Sequence, residues 1–157
     1  MFGIAIEATP YASIPALVIY SVADTKFGGT RGPLVCALVV LSLLLHELGH
    51  IAGAKFLGVR VSSLGFNFSG TYIRRAPAPS PWAEMAIAGS GPIVSLLLGS
   101  ACYLAFYRAQ GQIWEWLAQA NIVIGFFNLL PIPGADGLRM LTSFLHGLSR
   151  LVRAAHS

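Results

Sequence analysis

An apolar segment that contains the motif HExxH constrains the fold of this chain more than any other feature. The segment covers residues 33–57 and carries the motif at residues 46–50. As a helix it would be about 37 Å long, enough to cross the roughly 30 Å hydrocarbon core of a bilayer. Histidines four residues apart share one helical face, so His46 and His50 can bind the same metal ion, with Glu47 beside it as a base. The motif therefore predicts metal chemistry on a membrane-spanning helix.

The composition extends this prediction to the whole chain. Of the 157 residues, 55% are hydrophobic and only 10% are charged, whereas soluble domains carry roughly 25% charged residues. At this length we expect a single domain over residues 1–157, embedded in the lipid bilayer as a multi-pass membrane protein. The net charge is +4, but the ten Lys and Arg residues form no basic run or patch. We therefore expect no nucleic-acid partner.

The sequence predicts an all-α polytopic fold, a bundle of about four transmembrane helices. The predicted spans are residues 33–57, 83–107 and 113–131, together with residues 11–23. The segment 11–23 is short and contains Pro15, so it either spans with residues 1–10 or lies partly in the interface. The alternating pattern of residues 59–75 predicts a short membrane-associated β-hairpin that turns near Ser69 and Gly70. A proline-rich linker follows at residues 76–81. Residues 137–156 predict a C-terminal amphipathic helix along the membrane interface.

Charges in the connections predict how this bundle is oriented. One side of the membrane carries Lys26, Arg31 and Arg108. The other side carries Lys55, Arg60, Arg74, Arg75, Arg139, Arg150 and Arg153. The side richer in Lys and Arg is usually cytoplasmic. We therefore expect the span ends that carry His50 and Asp136 to lie at similar depth, nearer the cytoplasmic face.

The two histidines need a third partner, because a catalytic zinc ion normally has three protein ligands and one open position. Phe56 stands where a metzincin has its third histidine, which excludes that solution. Of the five carboxylates outside the motif, only Glu84 and Asp136 fall on the same side as the motif. The prolines and glycine of residues 131–134 unwind the chain just before Asp136, and irregular backbone at membrane depth is tolerated mainly where it lines a site. We therefore favour Asp136 as the third ligand and Glu84 as a cap of its own helix.

These motifs resemble those of the site-2 proteases, which are intramembrane zinc metalloproteases. The first family motif is complete at residues 46–50, and the second, Asn-x-x-Pro-x-Pro-x-x-Asp-Gly, is complete at residues 128–137. The middle element, Gly-Pro-x-x-Asn, stands here at residues 91–95, with Ser95 where asparagine is frequent. The resemblance covers roughly residues 33–140. Members of the family often add a PDZ or CBS domain, and neither fits within these 157 residues, so we expect a minimal catalytic core.

The resemblance also implies a function and the residues that perform it. The function is hydrolysis of peptide bonds in or near transmembrane segments of membrane-anchored regulatory proteins, with one zinc ion as cofactor. The implied roles are zinc ligand for His46, His50 and Asp136, catalytic acid/base for Glu47, and binding of substrate or the developing oxyanion for Asn128. A separate regulatory membrane protein would be a further partner.

Two more polar residues are candidates for substrate binding. Asn121 lies two turns before Asn128 on the same face of its predicted span. Ser95 lies between Gly91 and Gly99 on a face of small side chains. Each has a structural alternative, which is interhelical hydrogen bonding for Asn121 and close helix packing for the small-residue face.

Other functions and arrangements fit the same motifs. An extended substrate can pair with an edge of the 59–75 hairpin, or this hairpin can simply lie in the interface. A membrane metal-binding or metal-transport protein would also place histidines and an aspartate within the bilayer. A Glu47→Gln variant separates these classes, because it should lose hydrolysis in a peptidase and keep transport in a carrier. The complete motifs argue against an inactive relative that only binds transmembrane helices.

Overall fold

The computed structural model describes residues 4–9, 13–27, 29, 31–67 and 70–156. These residues form a mostly helical protein with one small sheet. The strands are β1 (Ala5–Ala8), β2 (Val61–Asn67) and β3 (Gly70–Arg75). The helices are α1 (Ser13–Phe27), α2 (Arg31–Phe56), α3 (Pro81–Ala109), α4 (Gln112–Leu129) and α5 (Asp136–Ala155).

Helices α2 and α3 are the two among the described helices that are long and apolar enough to cross a membrane. They have 26 and 29 residues, so each exceeds the roughly 30 Å thickness of a hydrocarbon core. Helix α1 has 15 residues, fewer than the roughly 17 that a span requires. Helix α4 is continuous, but polar side chains break up its apolar sequence, among them Gln112, Glu115 and Gln119. Our prediction of about four spans is therefore confirmed in part, for α2 and α3.

The face of small side chains on α3 packs against two neighbouring helices. A Cβ atom added at Gly99 would lie 2.8 Å from the Ile122 side chain of α4. Gly91, two turns earlier, faces α2 so closely that an added Cβ would lie 2.8 Å from His46 Nε2. Only residues without a large side chain allow this approach, so this face serves close helix packing.

The predicted hairpin is present as β2 and β3, which pair antiparallel with Leu64 opposite Ile73 and Phe66 opposite Thr71. The predicted turn falls on residues 68–69, which lie outside the described residues.

Strand β1 is a departure from our sequence analysis, which considered residues 1–10 as an extension of the first span and gave them no strand. It pairs parallel with β2, with Ala5 opposite Ser63, and the strand order is β1-β2-β3. The strand has only four residues, Ala-Ile-Glu-Ala, and such a short segment carries too little alternation to be recognised from sequence. Because β1 occupies one edge of β2, the other edge of β3 is left unpaired within the described part of the chain.

The chain unwinds between α4 and α5, as the prolines predicted. Helix α4 ends at Leu129 and α5 begins at Asp136. Pro131 and Pro133 lack the N–H that a continuing helix needs, and Gly134 has a φ of +90°. This backbone conformation favours glycine and turns the chain toward the bundle.

Helix α5 is amphipathic, as predicted, and packs one face on α3. The rings of Trp82 and Phe144 make an edge-to-face contact with centroids 5.9 Å apart. Gly147 lies against the indole of Trp82, where an added Cβ would come within 2.9 Å. Leu145 and Leu148 are exposed in the chain by itself, which suits a helix that lies along an apolar boundary.

Candidate metal centre

His46 and His50 lie one turn apart on α2, and both are buried. Their Nε2 atoms are 3.2 Å apart. Each ring has a second contact through Nδ1, which lies 2.9 Å from Ser95 Oγ in His46 and 2.8 Å from the Ile87 carbonyl oxygen in His50. Helix α3 supplies both of these contacts. Two helices together therefore orient the histidine pair.

Asp136 reaches the same point from a distant part of the sequence. Its Oδ2 atom lies 3.2 Å from His46 Nε2 and 3.0 Å from His50 Nε2. The side chain sits at the first residue of α5, directly after the proline-broken segment. The structure thus brings the three predicted ligands together.

The position after Asp136 has no room for a side chain, and glycine occupies it. A Cβ atom at this position would collide with the backbone carbonyls of Leu129 and Leu130 at the end of α4. The absence of a side chain lets the start of α5 lie directly against the end of α4. Asp136 is placed by this close backbone contact.

The carboxylate of Asp136 is charged over the physiological pH range. Burial by itself raises the pKa of this group, but hydrogen bonds with His46 and His50 and their charge outweigh burial and lower the pKa to about 2. The buried histidines therefore face an anionic side chain.

The donor set suits zinc. One oxygen and two nitrogen ligand atoms from Asp136, His46 and His50 lie within 4.8 Å of one another, and all three side chains are buried. The Nδ1 atoms of both histidines are engaged elsewhere, which leaves their Nε2 atoms for a metal. Two imidazoles and one carboxylate form the ligand set of many catalytic zinc sites. Among the described residues, this is the group that can hold a metal ion.

Glu84, the other carboxylate considered as a ligand, lies outside this cluster. It is in the first turn of α3 and forms an ion pair with Arg75 of β3. The N-cap of α3 is Ser80, whose Oγ accepts a hydrogen bond from Ala83 N at 3.1 Å. Our prediction that Glu84 caps its helix is therefore wrong in detail, because Ser80 takes the cap position.

Glu47 lies beside the metal centre and has a partner from the sheet. Its side chain is buried, and Thr71 Oγ1 of β3 donates a hydrogen bond to Glu47 Oε1 at 3.0 Å. A buried carboxylate needs such a donor, because burial without one carries a large free-energy cost. The strand thereby fixes the direction of the predicted acid/base.

A cavity of about 270 Å³ opens onto Glu47 and the three ligands. Its other walls come from Thr71, Tyr72 and Ile73 of β3, from Asn128 and from Arg139. The Nδ2 atom of Asn128 donates to the Ile124 carbonyl oxygen at 2.9 Å, within its own helix. The predicted acid/base, the ligands and Asn128 thus share one cavity.

The two other substrate-binding candidates are fully buried. Ser95 is 1% exposed and contacts His46, as described above, while Asn121 is 0% exposed. The Nδ2 atom of Asn121 donates to Ser42 Oγ of α2 at 2.9 Å and to the Leu117 carbonyl oxygen at 2.8 Å. The contact with Ser42 is the interhelical hydrogen bond that we considered as the alternative for Asn121.

Thr71 and Arg139 belong to the site but were not singled out from the sequence. Thr71 is one polar residue in a strand with a mixed pattern, and Arg139 is one of several arginines near the interface. The relevant signal for Arg139 is its position one helical turn after Asp136, on the same face of α5. Nothing local in the sequence connects Thr71 to Glu47.

Comparisons with known proteins agree with this geometry. Peptidase family M50 matches residues 34–113 and 108–156. The chain is 36% identical over 118 residues to Rip3 of Mycobacterium tuberculosis, covering 69% of this chain and 30% of that protein. It is 30% identical over 113 residues to a zinc metalloprotease of Methanocaldococcus jannaschii, covering 69% of this chain and 33% of that protein.

The fold is also found in a solved structure. The site-2 protease from Methanocaldococcus jannaschii superposes with a TM-score of 0.75 at 27% identity, covering 92% of this chain and 68% of that one. The matched segment spans about a third of the length of the curated relatives. The match to the family nevertheless extends over most of this chain, from α2 to α5. The chain therefore belongs to peptidase family M50.

Proposed function

We propose that the chain is a zinc-dependent intramembrane endopeptidase that cuts membrane-anchored regulatory proteins in or near their transmembrane segments. The observation that carries this proposal is the buried cluster of His46, His50 and Asp136, with Glu47 beside it, on a helix long enough to cross a membrane. The likeness to the site-2 protease structure supports the same function.

In this proposal the side chains divide the work of hydrolysis. Zinc held by the three ligands supplies Lewis acidity to a water molecule and to the peptide carbonyl. Glu47 removes a proton from the attacking water and returns it to the leaving amide nitrogen. Asn128, which lines the same cavity, donates a hydrogen bond to the peptide oxygen as negative charge develops there.

The substrate binds as an extended strand beside β3. A helical substrate hides its scissile amide in backbone hydrogen bonds, so it must unwind before water can reach it. Strand β3 lines the cavity and pairs with β2, while β1 takes the far edge of the sheet. The edge of β3 is therefore the natural place for an added strand next to Glu47.

The active site lies nearer the cytoplasmic face. This part of the proposal rests on the excess of Lys and Arg in the connections on the side of His50 and Asp136. A soluble regulatory fragment released from this depth would enter the cytoplasm.

The test of the proposed function is a cleavage assay with the full chain in liposomes and candidate single-span regulators as substrates. We expect Glu47→Gln to lower product formation at least about 100-fold, because it removes the acid/base, and to retain zinc. A zinc chelator should have the same effect on the wild type. Glu115→Gln is the matched control, since Glu115 lies on α4, outside the residues that line the cavity, and accepts a hydrogen bond from Gln119.

Equal product from wild type, Glu47→Gln and chelated protein would sink the peptidase proposal. A metal carrier would give a different pattern, in which Glu47→Gln retains zinc flux into the liposomes and no protein is cleaved. Both readouts come from the same preparation.

A further inference from the structure

Ser95 contacts the ring nitrogen of His46 that points away from Asp136. Its Oγ lies 2.9 Å from His46 Nδ1, while His46 Nε2 lies 3.2 Å from Asp136 Oδ2. Ser95 is 1% exposed and His46 is 4% exposed. The contact is shielded from bulk water, so no solvent molecule can easily replace the serine hydroxyl.

The contact decides which ring nitrogen is available to a metal. A neutral imidazole carries one N–H, and a metal binds the nitrogen without it. An acceptor at Nδ1 keeps the proton there, orients the ring and leaves Nε2 free for zinc. The serine oxygen lies at hydrogen-bond distance for this role and is placed by α3 against α2.

The two histidine ligands differ in how they are held. His50 Nδ1 is 2.8 Å from the Ile87 carbonyl oxygen, which no side-chain substitution removes. The Nδ1 contact of His46 instead comes from a side chain, that of Ser95. The position of Ser95 is the one at which asparagine is frequent in the site-2 proteases. A mutation at Ser95 can therefore remove the hydrogen-bond partner of His46 while all three proposed zinc ligands stay in place.

We propose that Ser95 is a positioning residue that fixes the ring orientation and tautomer of the zinc ligand His46. The proposal rests on the proposed zinc site. It assigns Ser95 a role behind the ligand, in place of the substrate contact implied by its position in the family element.

The test is zinc affinity, measured on the purified full chain in detergent by competition with a chromogenic chelator. We expect Ser95→Ala to weaken zinc binding about 10- to 100-fold, the usual effect of removing a hydrogen-bond partner from a metal ligand. Ser95→Thr keeps the hydroxyl and should retain most of the affinity. Ser100→Ala is the matched control, because Ser100 lies on the same helix and its hydroxyl donates to the Leu96 carbonyl oxygen of its own helix.

A second readout is the visible absorption of the cobalt-substituted protein, which reports the ligand field. Ser95→Ala should shift this spectrum, whereas Ser100→Ala should leave it unchanged. Alanine favours helix at this position, and far-UV circular dichroism verifies that each variant keeps its helices.

Wild-type zinc affinity and an unchanged cobalt spectrum in Ser95→Ala would overturn the proposal. Equal weakening in Ser95→Ala and Ser100→Ala, or in Ser95→Ala and Ser95→Thr, would overturn it as well, because the loss would not follow the hydroxyl. Tight zinc binding by a wild type that cleaves no substrate would instead contradict the proposed function and leave the role of Ser95 standing.

Discussion

At the level of single residues, both histidines and the predicted acid/base are held by partners from other elements. His46 and His50 come from α2 and take their Nδ1 contacts from α3. Glu47 takes its hydrogen bond from Thr71 of β3. These contacts fix the groups before any substrate arrives, and such preorganisation is the main way in which a site lowers a reaction barrier.

Thr71 gives a prediction at this scale. Thr71→Val removes the hydrogen bond to Glu47 with little change in side-chain volume, so we expect kcat to fall about tenfold, as for a loss of about 1.4 kcal/mol. Zinc affinity and KM should stay close to those of the wild type, because neither the ligands nor the free strand edge changes. Thr71→Ser should retain kcat. Steady-state cleavage kinetics give kcat and KM, and chelator competition gives the zinc affinity. Wild-type kcat in Thr71→Val would show that catalysis does not depend on the hydrogen bond between Thr71 and Glu47.

Among the helices and strands, α3 lies directly against the two histidines of the metal centre. Its small residues let α2 approach, and its Ile87 carbonyl and Ser95 hydroxyl meet the histidines. The neighbouring sheet supplies the wall of the cavity through β3. The site therefore depends on how closely two helices and one strand pack, as well as on the ligands.

Gly91 gives a prediction for this helix contact. An added Cβ would lie 2.8 Å from His46 Nε2 and would also collide with His50 Nε2. We expect Gly91→Ala to weaken zinc binding at least about tenfold, because the rings must move from their ligand positions.

Gly89→Ala is the control for helix propensity on α3. Its Cβ would lie 3.3 Å from the flexible end of Met140, which can move aside at low cost. Zinc affinity by chelator competition should be unchanged in this variant. Similar affinities for Gly91→Ala and the wild type would contradict the close packing of α2 on α3.

The free edge of β3 gives a second prediction at this scale. Successive amides of a strand point to opposite edges, so pairing with β3 should involve every other amide of the substrate. We expect a scan of single N-methylated amides around the scissile bond to lower kcat/KM at alternate positions. Each loss should be about fivefold or more, from one backbone hydrogen bond of about 1 kcal/mol. Cleavage that is unaffected at all positions would exclude pairing on this edge.

At the scale of the whole molecule, the outer surface suits lipid better than water. Large apolar side chains on α3 and α4 are more than half exposed, among them Leu97, Leu104 and Phe126. Contiguous apolar surface of this kind needs a partner, and a bilayer provides one. The cavity of the metal centre lies inside this apolar surface and is lined by α2, β3, the end of α4 and the start of α5.

The proposed orientation is tested at this scale by labelling single cysteines in intact cells. Pro79→Cys lies in the connection before α3, on the proposed cytoplasmic side, and Gln112→Cys lies at the start of α4, on the other side. A membrane-impermeant maleimide should label Gln112→Cys at once and Pro79→Cys only after permeabilisation. The unmodified chain is the control, since Cys36 and Cys102 both lie within the helices that are candidate spans. The reverse labelling pattern would place the metal centre at the outer face.

Much of the architecture follows from local sequence patterns. The apolar runs of α2 and α3, the prolines before Asp136 and the amphipathic pattern of α5 each act over a few neighbouring residues, so they are visible without a structure. Strand β1 is different, because its four residues become a strand only by pairing with β2, nearly sixty residues away. Hydrophobic periodicity cannot identify a strand that forms only through pairing with a distant segment.

The candidate site divides in the same way. The ligand types and their order could be read from the sequence, because two histidines one helical turn apart and an aspartate after a proline-broken helix are short-range patterns that suit a zinc site. Only the folded chain brings Ser95 to His46 and Thr71 to Glu47, and only in the folded chain does β3 line the cavity. These contacts join segments that lie more than twenty residues apart, and only the packing of α2, α3 and the sheet sets the distances between them.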